Sequence, residues 1–289
     1  MAKYKGIGGT TVQFRSGTED YTYGSSGNGA EGSIYYNSAN GKFEFVGLGV
    51  GAWSTGGSTN TGRTQAGGFG TLTAGAIAGG FEQPSYNAEV EEYNGTAWSE
   101  VTNIPRAQRH MGSCGTQTAG LINGGAAAPP GGAFAETFEY DGTNWTAANA
   151  GPTATNDSKG MGVQTSALFA GGGPPSAEAK QSYEYDGTNW TAGGTLSIDH
   201  KAVGTLGTSK DLGIITGGHS PSPGTNKTEG YDGTAWSSRP SMATTRGRMG
   251  MSGNNDSGVV FGGNPSATNA TEEWTNATET VTAATLTSS

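Results

Sequence analysis

Three histidines and one cysteine are the residues of this chain best suited to metal binding or nucleophilic chemistry. Imidazole and thiolate are ligands that zinc and copper prefer, but His110, His200 and His219 are far apart in the sequence. Cys114 lies in the sequence GSCGTQT, where a free cysteine is usually a small buried hydrophobic residue. There is no Gly-x-Ser-x-Gly nucleophile motif. We therefore predict no enzymatic activity, no metal site and no cofactor.

The histidines belong to three different copies of a repeat. The sequence FEYDGTNWTAA, which begins at Phe138, returns as YEYDGTNWTAG from Tyr183. A second landmark is a glycine pair that ends a short apolar run, and its copies stand 45 to 47 residues apart. A period of about 40 to 50 residues is typical of propeller blades. The pairs are Gly79-Gly80, Gly124-Gly125, Gly171-Gly172, Gly217-Gly218 and Gly262-Gly263.

Each repeat is predicted to form four short strands. The apolar run before each glycine pair is too short for a helix, which predicts the second strand there. The segments FEY and NWTAA flank Asp141-Gly142, a pair that can supply the positive φ angles of a two-residue hairpin turn. They are therefore predicted to be the third and fourth strands. A glutamate recurs before the third-strand aromatic, which predicts a solvated outer strand rather than an acid–base pair. These glutamates are Glu92, Glu139, Glu184 and Glu273.

The glycine pair, a tyrosine on the third strand and a tryptophan on the fourth resemble the kelch repeat over residues 53 to about 283. The resemblance implies a β-propeller in which these residues pack between blades, since aromatics fill the gap and glycine admits the next backbone. The aromatics are Trp53, Tyr93, Trp98, Tyr140, Trp145, Tyr185, Trp190, Tyr231, Trp236 and Trp274. The last repeat departs from the pattern, with Trp274 in place of the tyrosine and Glu279 in place of the tryptophan. DGTNW is also similar to the structural Asp-box of sialidases, but glutamates stand where that motif has serine.

The fold class predicted from these patterns is all-β. We expect a five-bladed kelch-like β-propeller over residues 43–289 and an amino-terminal arm with a β-hairpin over residues 1–42. A sixth blade would need another full repeat, and residues 1–52 hold only half of one. In an alternative interpretation, residues 43–53 are the outer half of a repeat that closes the ring.

The sequence GSIYYNSANGKFEFVGLGVGAW resembles a motif of bacteriophage virion and tail-fibre proteins. The resemblance implies a non-enzymatic virion structural protein, either a capsid decoration or a tail or fibre component that serves assembly or host attachment. It also implies other virion proteins as partners, many copies in an assembly, and the virion as the location. Tyr4, Ile7, Val12 and Phe14 are spaced to dock as an extended strand on another chain's sheet edge, so we expect the arm to be the anchor.

One face of the predicted propeller carries both the loops after the glycine pairs and the chain entering each first strand. These loops are the most divergent part of the repeat, and variable loops on a constant scaffold often bind ligands. A carbohydrate-binding, lectin-like propeller with a host-surface glycan as partner is therefore the alternative function. The chain entering each first strand also brings cations near this face, namely Arg63, Arg109, Lys159, Lys201, Arg246 and Arg248. In one interpretation they form a cationic mouth that binds an acidic glycan. In the other interpretation, the entry arginines bond to carbonyls of neighbouring blades. The candidate ligand residues are Arg63, Tyr86, Arg109, His110, Phe134, Lys201, His219 and Arg246.

Charge and hydropathy exclude several classes of function. The formal net charge of −9 opposes nucleic-acid binding, and no cluster of Lys and Arg offsets it. No run approaches the ~18 apolar residues of a membrane span, and no apolar signal segment follows Met1, so we expect folding in the host cytoplasm. A third hypothesis, a galactose-oxidase-like enzyme, would need two histidines, two tyrosines and a crosslinked cysteine at one copper. The three dispersed histidines oppose it.

Overall fold

The computed structural model describes residues 34–37, 42–45, 56–127, 132–173, 179–218, 224–264 and 271–275. The chain forms two compact units, Met1–Thr55 and Gly56–Ser289. In the first unit, strands β1 (Ile34–Asn37) and β2 (Lys42–Phe45) pair as an antiparallel hairpin. The domain boundary predicted between residues 42 and 43 falls inside this hairpin. Trp53 and the four predicted anchor residues of the arm lie outside the described residues.

The second unit is a five-bladed β-propeller, which confirms the predicted fold class. Five antiparallel sheets follow one another along the chain. Blade 1 consists of β3 (Gly67–Thr71), β4 (Ala74–Glu82), β5 (Ser85–Tyr93) and β6 (Trp98–Val101). Blade 2 consists of β7 (Gly112–Thr116), β8 (Ala119–Asn123), β9 (Thr137–Tyr140) and β10 (Trp145–Ala148). Blade 3 consists of β11 (Lys159–Val163), β12 (Ser166–Ala170), β13 (Ser182–Tyr185) and β14 (Trp190–Ala192).

The two remaining blades continue the same order. Blade 4 consists of β15 (Gly204–Ser209), β16 (Leu212–Thr216), β17 (Thr228–Tyr231) and β18 (Trp236–Arg239). Blade 5 consists of β19 (Gly250–Gly253), β20 (Ser257–Phe261) and β21 (Thr271–Thr275), and the residues after β21 lie outside the described part. From blade 1 to blade 5, the first strand of each blade contacts the first strand of the next. The first strands are therefore innermost, and the fourth strands form the rim.

The hydrophobic core is divided into layers that lie between blades. Between blades 1 and 2, Ala78 and Val90 pack against Met111 and Ile122. Between blades 3 and 4, the residues in contact include Met161, Leu168, Val203, Ile215 and Tyr231. The second strands of blades 2, 3 and 4 each have four consecutive buried residues, because neighbouring blades cover both faces of these sheets.

The glycine pairs lie where the backbones of adjacent blades approach most closely. Both glycines of the second pair have positive φ, at 70° for Gly124 and 105° for Gly125. A Cβ on Gly124 would lie 2.5 Å from the carbonyl oxygen of Thr155, which belongs to the segment entering blade 3. The Gly125 N–H donates a hydrogen bond of 2.7 Å to that same oxygen. The pair thus needs glycine for two reasons, a left-handed backbone and contact with the neighbouring blade.

The third-strand tyrosines donate hydrogen bonds to the glutamates of the preceding blade. The Tyr140 hydroxyl reaches Glu92 at 2.8 Å, and the same bond recurs between Tyr185 and Glu139 at 2.7 Å and between Tyr231 and Glu184 at 2.5 Å. Our expectation that these glutamates are simply solvated is wrong for Glu92, Glu139 and Glu184. They recur because each accepts a bond from the next blade.

The tryptophans on the fourth strands also bind across blades. The Trp145 indole N–H donates to the Thr102 carbonyl at 3.1 Å, and that of Trp190 donates to the Asn149 carbonyl at 2.9 Å. Each acceptor stands four residues after the tryptophan of the preceding repeat. The Trp98 indole donates to the Gly57 carbonyl at 3.0 Å, and Gly57 stands four residues after Trp53. Residues 53–57 therefore keep the spacing of an outer-strand end.

The YDGTNW segment forms the hairpin turn between the third and fourth strands. Tyr140 is opposite Trp145 in the register, and the two rings stack at 4.8 Å between centroids. Gly142 has a φ of 91°, whereas Asp141 does not have positive φ. The Asp141 carboxylate instead accepts hydrogen bonds from the backbone N–H groups of Thr143 and Asn144, at 2.8 and 2.7 Å. The aspartate is thus a side-chain cap for the turn rather than a left-handed residue.

Candidate functional site at the mouth of the propeller

The segments entering the first strands surround one end of the propeller axis. In each segment, one non-glycine residue has a left-handed backbone, with φ between 51° and 60°. We call these five residues the mouth residues; in order of blade, they are Gln65, His110, Asp157, Ala202 and Arg248. They stand 45 to 47 residues apart and so occupy equivalent places in the repeat. A left-handed backbone is uncommon for residues other than glycine, asparagine and aspartate, so its recurrence indicates a constraint from neighbouring structure.

Backbone hydrogen bonds between blades supply that constraint. The N–H of His110 donates to the carbonyl of Gln65 at 3.0 Å, and the N–H of Asp157 donates to the carbonyl of His110 at 2.9 Å. The series continues from Ala202 to Asp157 at 3.3 Å and from Arg248 to Ala202 at 2.7 Å. The left-handed turn aims each N–H at the preceding blade. Backbone hydrogen bonds therefore connect the mouth segments of successive blades from blade 1 to blade 5.

The mouth encloses a cavity of about 250 Å³, and every blade contributes to its lining. We call it the mouth cavity. It is lined by Gln65, Ala66, His110, Met111, Asp157, Ser158, Lys159, Ala202, Arg248 and Met249. Concave sites that combine apolar surface with a few polar groups are where small ligands usually bind. This cavity is therefore the candidate functional site.

The lining of the mouth cavity contains more positively charged side chains than negatively charged ones. His110 Nδ1 lies 2.5 Å from a carboxylate oxygen of Asp157. Burial acts to raise the pKa of Asp157, but the bond from His110 and the nearby charges of Arg248 and Lys159 hold it below its usual value. Burial lowers the pKa of Lys159, and Asp157 opposes that effect. Asp157 is the carboxylate among the lining residues, against cationic Arg248 and Lys159 and a histidine already bound to it.

Two of the candidate ligand residues lie on the same face but support the blades from within. Arg63 is buried and pairs with Glu91, which is fully buried, and it also donates to the Glu89 carbonyl at 2.7 Å. Arg246 pairs in the same way with Glu272 and donates to the Gly262 carbonyl at 3.3 Å. Both arginines thus bond to backbone carbonyls, but these carbonyls belong to the arginine's own blade and not, as that interpretation expected, to a neighbouring one.

His200 occupies the same repeat position in blade 4. Its Nε2 lies 3.2 Å from a carboxylate oxygen of Glu229, and its Nδ1 lies 2.7 Å from the carbonyl of Gly217. The Glu229 carboxylate also accepts from the backbone N–H of Ser197 at 2.9 Å. Burial would raise the pKa of Glu229, but the bonds from His200 and Ser197 lower it. His200 is fully buried, so it is a structural residue of the blade.

The aromatic candidates Tyr86 and Phe134 are each covered by an arginine. The Arg109 guanidinium lies 4.9 Å from the centroid of Tyr86 and 4.6 Å from that of Phe81. The Arg106 guanidinium lies 4.2 Å from the centroid of Phe134. A sugar ring stacks on an open aromatic face, and the guanidinium already occupies one face of each ring. Arg109 also donates to the Gln65 side chain at 3.0 Å, which connects this cluster to the mouth residues.

The remaining predicted residues are dispersed. Lys201 is half-buried beside Ala202, and His219 lies outside the described residues. Cys114 is buried in the layer between blades 2 and 3, and burial raises the pKa of its thiol to about 12. His110 and His200 belong to separate pairs. Among the described residues, no three His, Cys, Asp or Glu side chains group as a metal site would require.

Of the predicted ligand residues that the structure describes, only His110 lines the mouth cavity. Lys159 and Arg248, expected near this face as entry cations, also line the cavity, whereas Gln65 and Asp157 were not anticipated. A signal for the mouth residues was present, since Gln65, Asp157 and Arg248 occupy the repeat position of His110. Their side chains differ, and no glycine marks the left-handed backbone, so the sequence pattern did not single them out.

Two comparisons complete the description of this chain. The part of the chain that the structure describes has no apolar helix of the length that a bilayer crossing requires. No known family model matches the chain, and no curated protein is significantly similar to it in sequence.

Proposed function

We propose that this chain is a non-enzymatic structural protein of a bacteriophage virion. In this proposal the amino-terminal arm anchors the chain to other virion proteins, and a kelch-type propeller is displayed in many copies for assembly or host contact. The observation that carries the proposal is the hairpin of β1 and β2, because its strands coincide with the IYYN and KFEF segments of the virion-like motif. The hairpin also belongs to a compact unit separate from the propeller.

The use of polar side chains in the propeller also supports a structural role. Tyrosine, glutamate and tryptophan side chains at equivalent positions join one blade to the next. Buried Arg63 and Glu91 stabilise a single blade. A stably linked array of blades suits a part that must be displayed on a particle.

Mass spectrometry of purified particles tests the proposal directly, and genes for capsid, portal or tail proteins beside this gene would agree with it. The more specific test is deletion of residues 2–30, which removes the proposed anchor residues Tyr4, Ile7, Val12 and Phe14. We expect a nearly unchanged melting temperature and no incorporation into particles. A truncated protein that assembles normally would contradict the anchoring role. A destabilised propeller would instead favour the alternative in which this region closes the ring.

A second candidate function is carbohydrate binding by a lectin-like propeller with a host-surface glycan as its partner. The specific observation in its favour is the mouth cavity, to which all five blades contribute. Because arginines cover the rings of Tyr86 and Phe134, the loops after the glycine pairs support carbohydrate binding less strongly than the sequence suggested.

A further inference from the structure

The mouth residues differ in side chain while sharing one backbone conformation. The glycine pairs recur unchanged in every repeat, whereas the mouth residues are glutamine, histidine, aspartate, alanine and arginine. Their N–H and carbonyl groups bond between blades whatever the side chain is, although the side chains of His110 and Asp157 also pair with each other. Positions that vary on a constant scaffold are where binding specificity usually resides.

Two cations of the mouth cavity have no acceptor in the described part of the chain. Lys159 and Arg248 line the cavity, and neither side chain has a hydrogen bond or ion pair with a described residue. Asp157, the nearby carboxylate, is held at 2.5 Å by His110. An ammonium group with a buried stem and a guanidinium at the rim thus share a cavity without a bonded counter-charge. Such groups gain most from an anion that displaces their water.

A buried hydroxyl in the same cavity also lacks a partner. Ser158 stands between Asp157 and Lys159 and is 3% exposed, and its Oγ makes no hydrogen bond in the described structure. A buried polar atom without a partner is unfavourable unless a ligand or water bonds to it. The apolar surfaces of Met111 and Met249 form the rest of the lining together with two alanines. Ser158 also lines a second cavity, beside Phe169 and Tyr183, so it belongs to the wall of both. The mouth cavity therefore offers two cations and an apolar surface, with the Ser158 hydroxyl in its wall.

We propose that the mouth cavity binds a sugar acid of monosaccharide size, with its carboxylate held by Arg248 and Lys159. A planar guanidinium can bind a carboxylate through two parallel hydrogen bonds, and the ammonium adds a second positive charge. Ser158 and the amide of Gln65 bond to ring hydroxyls, and the methionines contact the C–H faces of the ring. This inference rests on the second function above and does not depend on virion assembly.

The test uses the full-length protein and three probes at physiological ionic strength. Glucuronate carries both ring and carboxylate, glucose carries the ring alone, and acetate carries the carboxylate alone. Isothermal titration calorimetry should show saturable binding of glucuronate, at least about tenfold tighter than of either other probe. No saturable binding of glucuronate would overturn the proposal. Equal affinity for acetate would overturn the sugar part of it, and equal affinity for glucose would overturn the carboxylate part.

Three variants locate the site. Arg248→Gln and Lys159→Met should each weaken glucuronate binding about tenfold or more, because each removes one charge from the cavity. Lys227→Met is the matched control, since Lys227 is exposed in the loop before β17 and is not part of the cavity lining. An equal loss in this control would show that net charge, not the cavity, decides binding, and would overturn the proposal. Melting curves establish that each variant is folded. Because binding is measured on isolated protein, the result is independent of the particle-incorporation test.

Discussion

The hydroxyl of Tyr185 in blade 3 donates a hydrogen bond of 2.7 Å to the carboxylate of Glu139 in blade 2. The two residues are 46 positions apart, which is one period of the repeat. Glu139 precedes Tyr140, which makes the same bond to Glu92 of blade 1. The dipeptide thus receives a bond from the next blade and donates one to the previous blade. Blades 1 to 4 are joined in series by this one pair of residues, whereas Gly230 and Trp274 stand at the corresponding positions of blades 4 and 5.

Removing the Tyr185 hydroxyl should weaken the contact between blades 2 and 3. Tyr185→Phe retains the fully buried ring but leaves the Glu139 carboxylate without its donor, so we expect a loss of about 1 to 3 kcal/mol in unfolding free energy. Denaturant unfolding measures this. Tyr86→Phe is the control, because the Tyr86 hydroxyl makes no hydrogen bond within the described residues. Equal stability of the Tyr185 variant and wild type would contradict the prediction.

The same bonds predict loss of stability at alkaline pH. Burial and the bond to Glu184 raise the pKa of Tyr231 to about 12, above the usual value of about 10. Tyr140 and Tyr185 also have raised pKa values, through burial and their glutamates. Since the unfolded tyrosines lose their protons first, the stabilisation is complete below about pH 10 and is lost as the pH rises towards 12. Melting temperatures over this range should fall while tyrosinate absorbance rises with unfolding. Independence of melting temperature from pH up to 12 would refute this account.

A methyl group on Gly124 should be poorly tolerated. Gly124→Ala places a side chain at a φ of 70° and a Cβ 2.5 Å from the Thr155 carbonyl. The left-handed backbone alone costs about 1 to 2 kcal/mol, and the clash between blades adds to it. We expect a total loss of about 3 kcal/mol or more in unfolding free energy. Gly62→Ala is the matched control, because nothing lies within 4 Å of its added Cβ. Similar stability of the two variants would exclude close backbone approach at Gly124.

Replacing only one partner of the buried Arg63–Glu91 pair should strongly reduce the unfolding free energy. Arg63→Met leaves the fully buried Glu91 carboxylate with its backbone donors, the N–H groups of Asn60 and Thr61, but without its positive charge. We expect a loss of about 3 to 5 kcal/mol. Adding Glu91→Gln should cost much less than it does alone, because it removes the unpaired charge. Additive losses in this double-mutant cycle would show that the two residues act separately.

The fold could be predicted from the sequence because the residues that recur from repeat to repeat are those that make contacts between blades. The glycine pairs and the aromatics mark the places where backbone approach or ring packing allows few residue types. The hairpin turns also lay where Asp141-Gly142 indicated, although only the glycine has positive φ. Such signals are local, since a few adjacent residues determine each of them.

The candidate site was only partly predictable, because it depends on contacts between repeats. His110 was identified, whereas its partner Asp157 lies in the next blade and carries no local signal. Arg63 was placed on the ligand face, but its side chain turns inwards to Glu91. The direction of a side chain depends on the partner that the fold supplies, and sequence spacing does not contain that information.

Four hydrogen bonds around the mouth join backbone groups of successive blades, from the bond of His110 to Gln65 through to that of Arg248 to Ala202. These bonds do not depend on which side chain each mouth residue carries. Exchanging Ala202 or Arg248 removes no side-chain hydrogen bond between blades within the described residues, whereas His110 and Asp157 would have to change together to keep their pair. The backbone bonds persist in either case, so new side chains can be presented there without a new scaffold. Ligand preference at the mouth cavity can then change while the propeller scaffold stays the same.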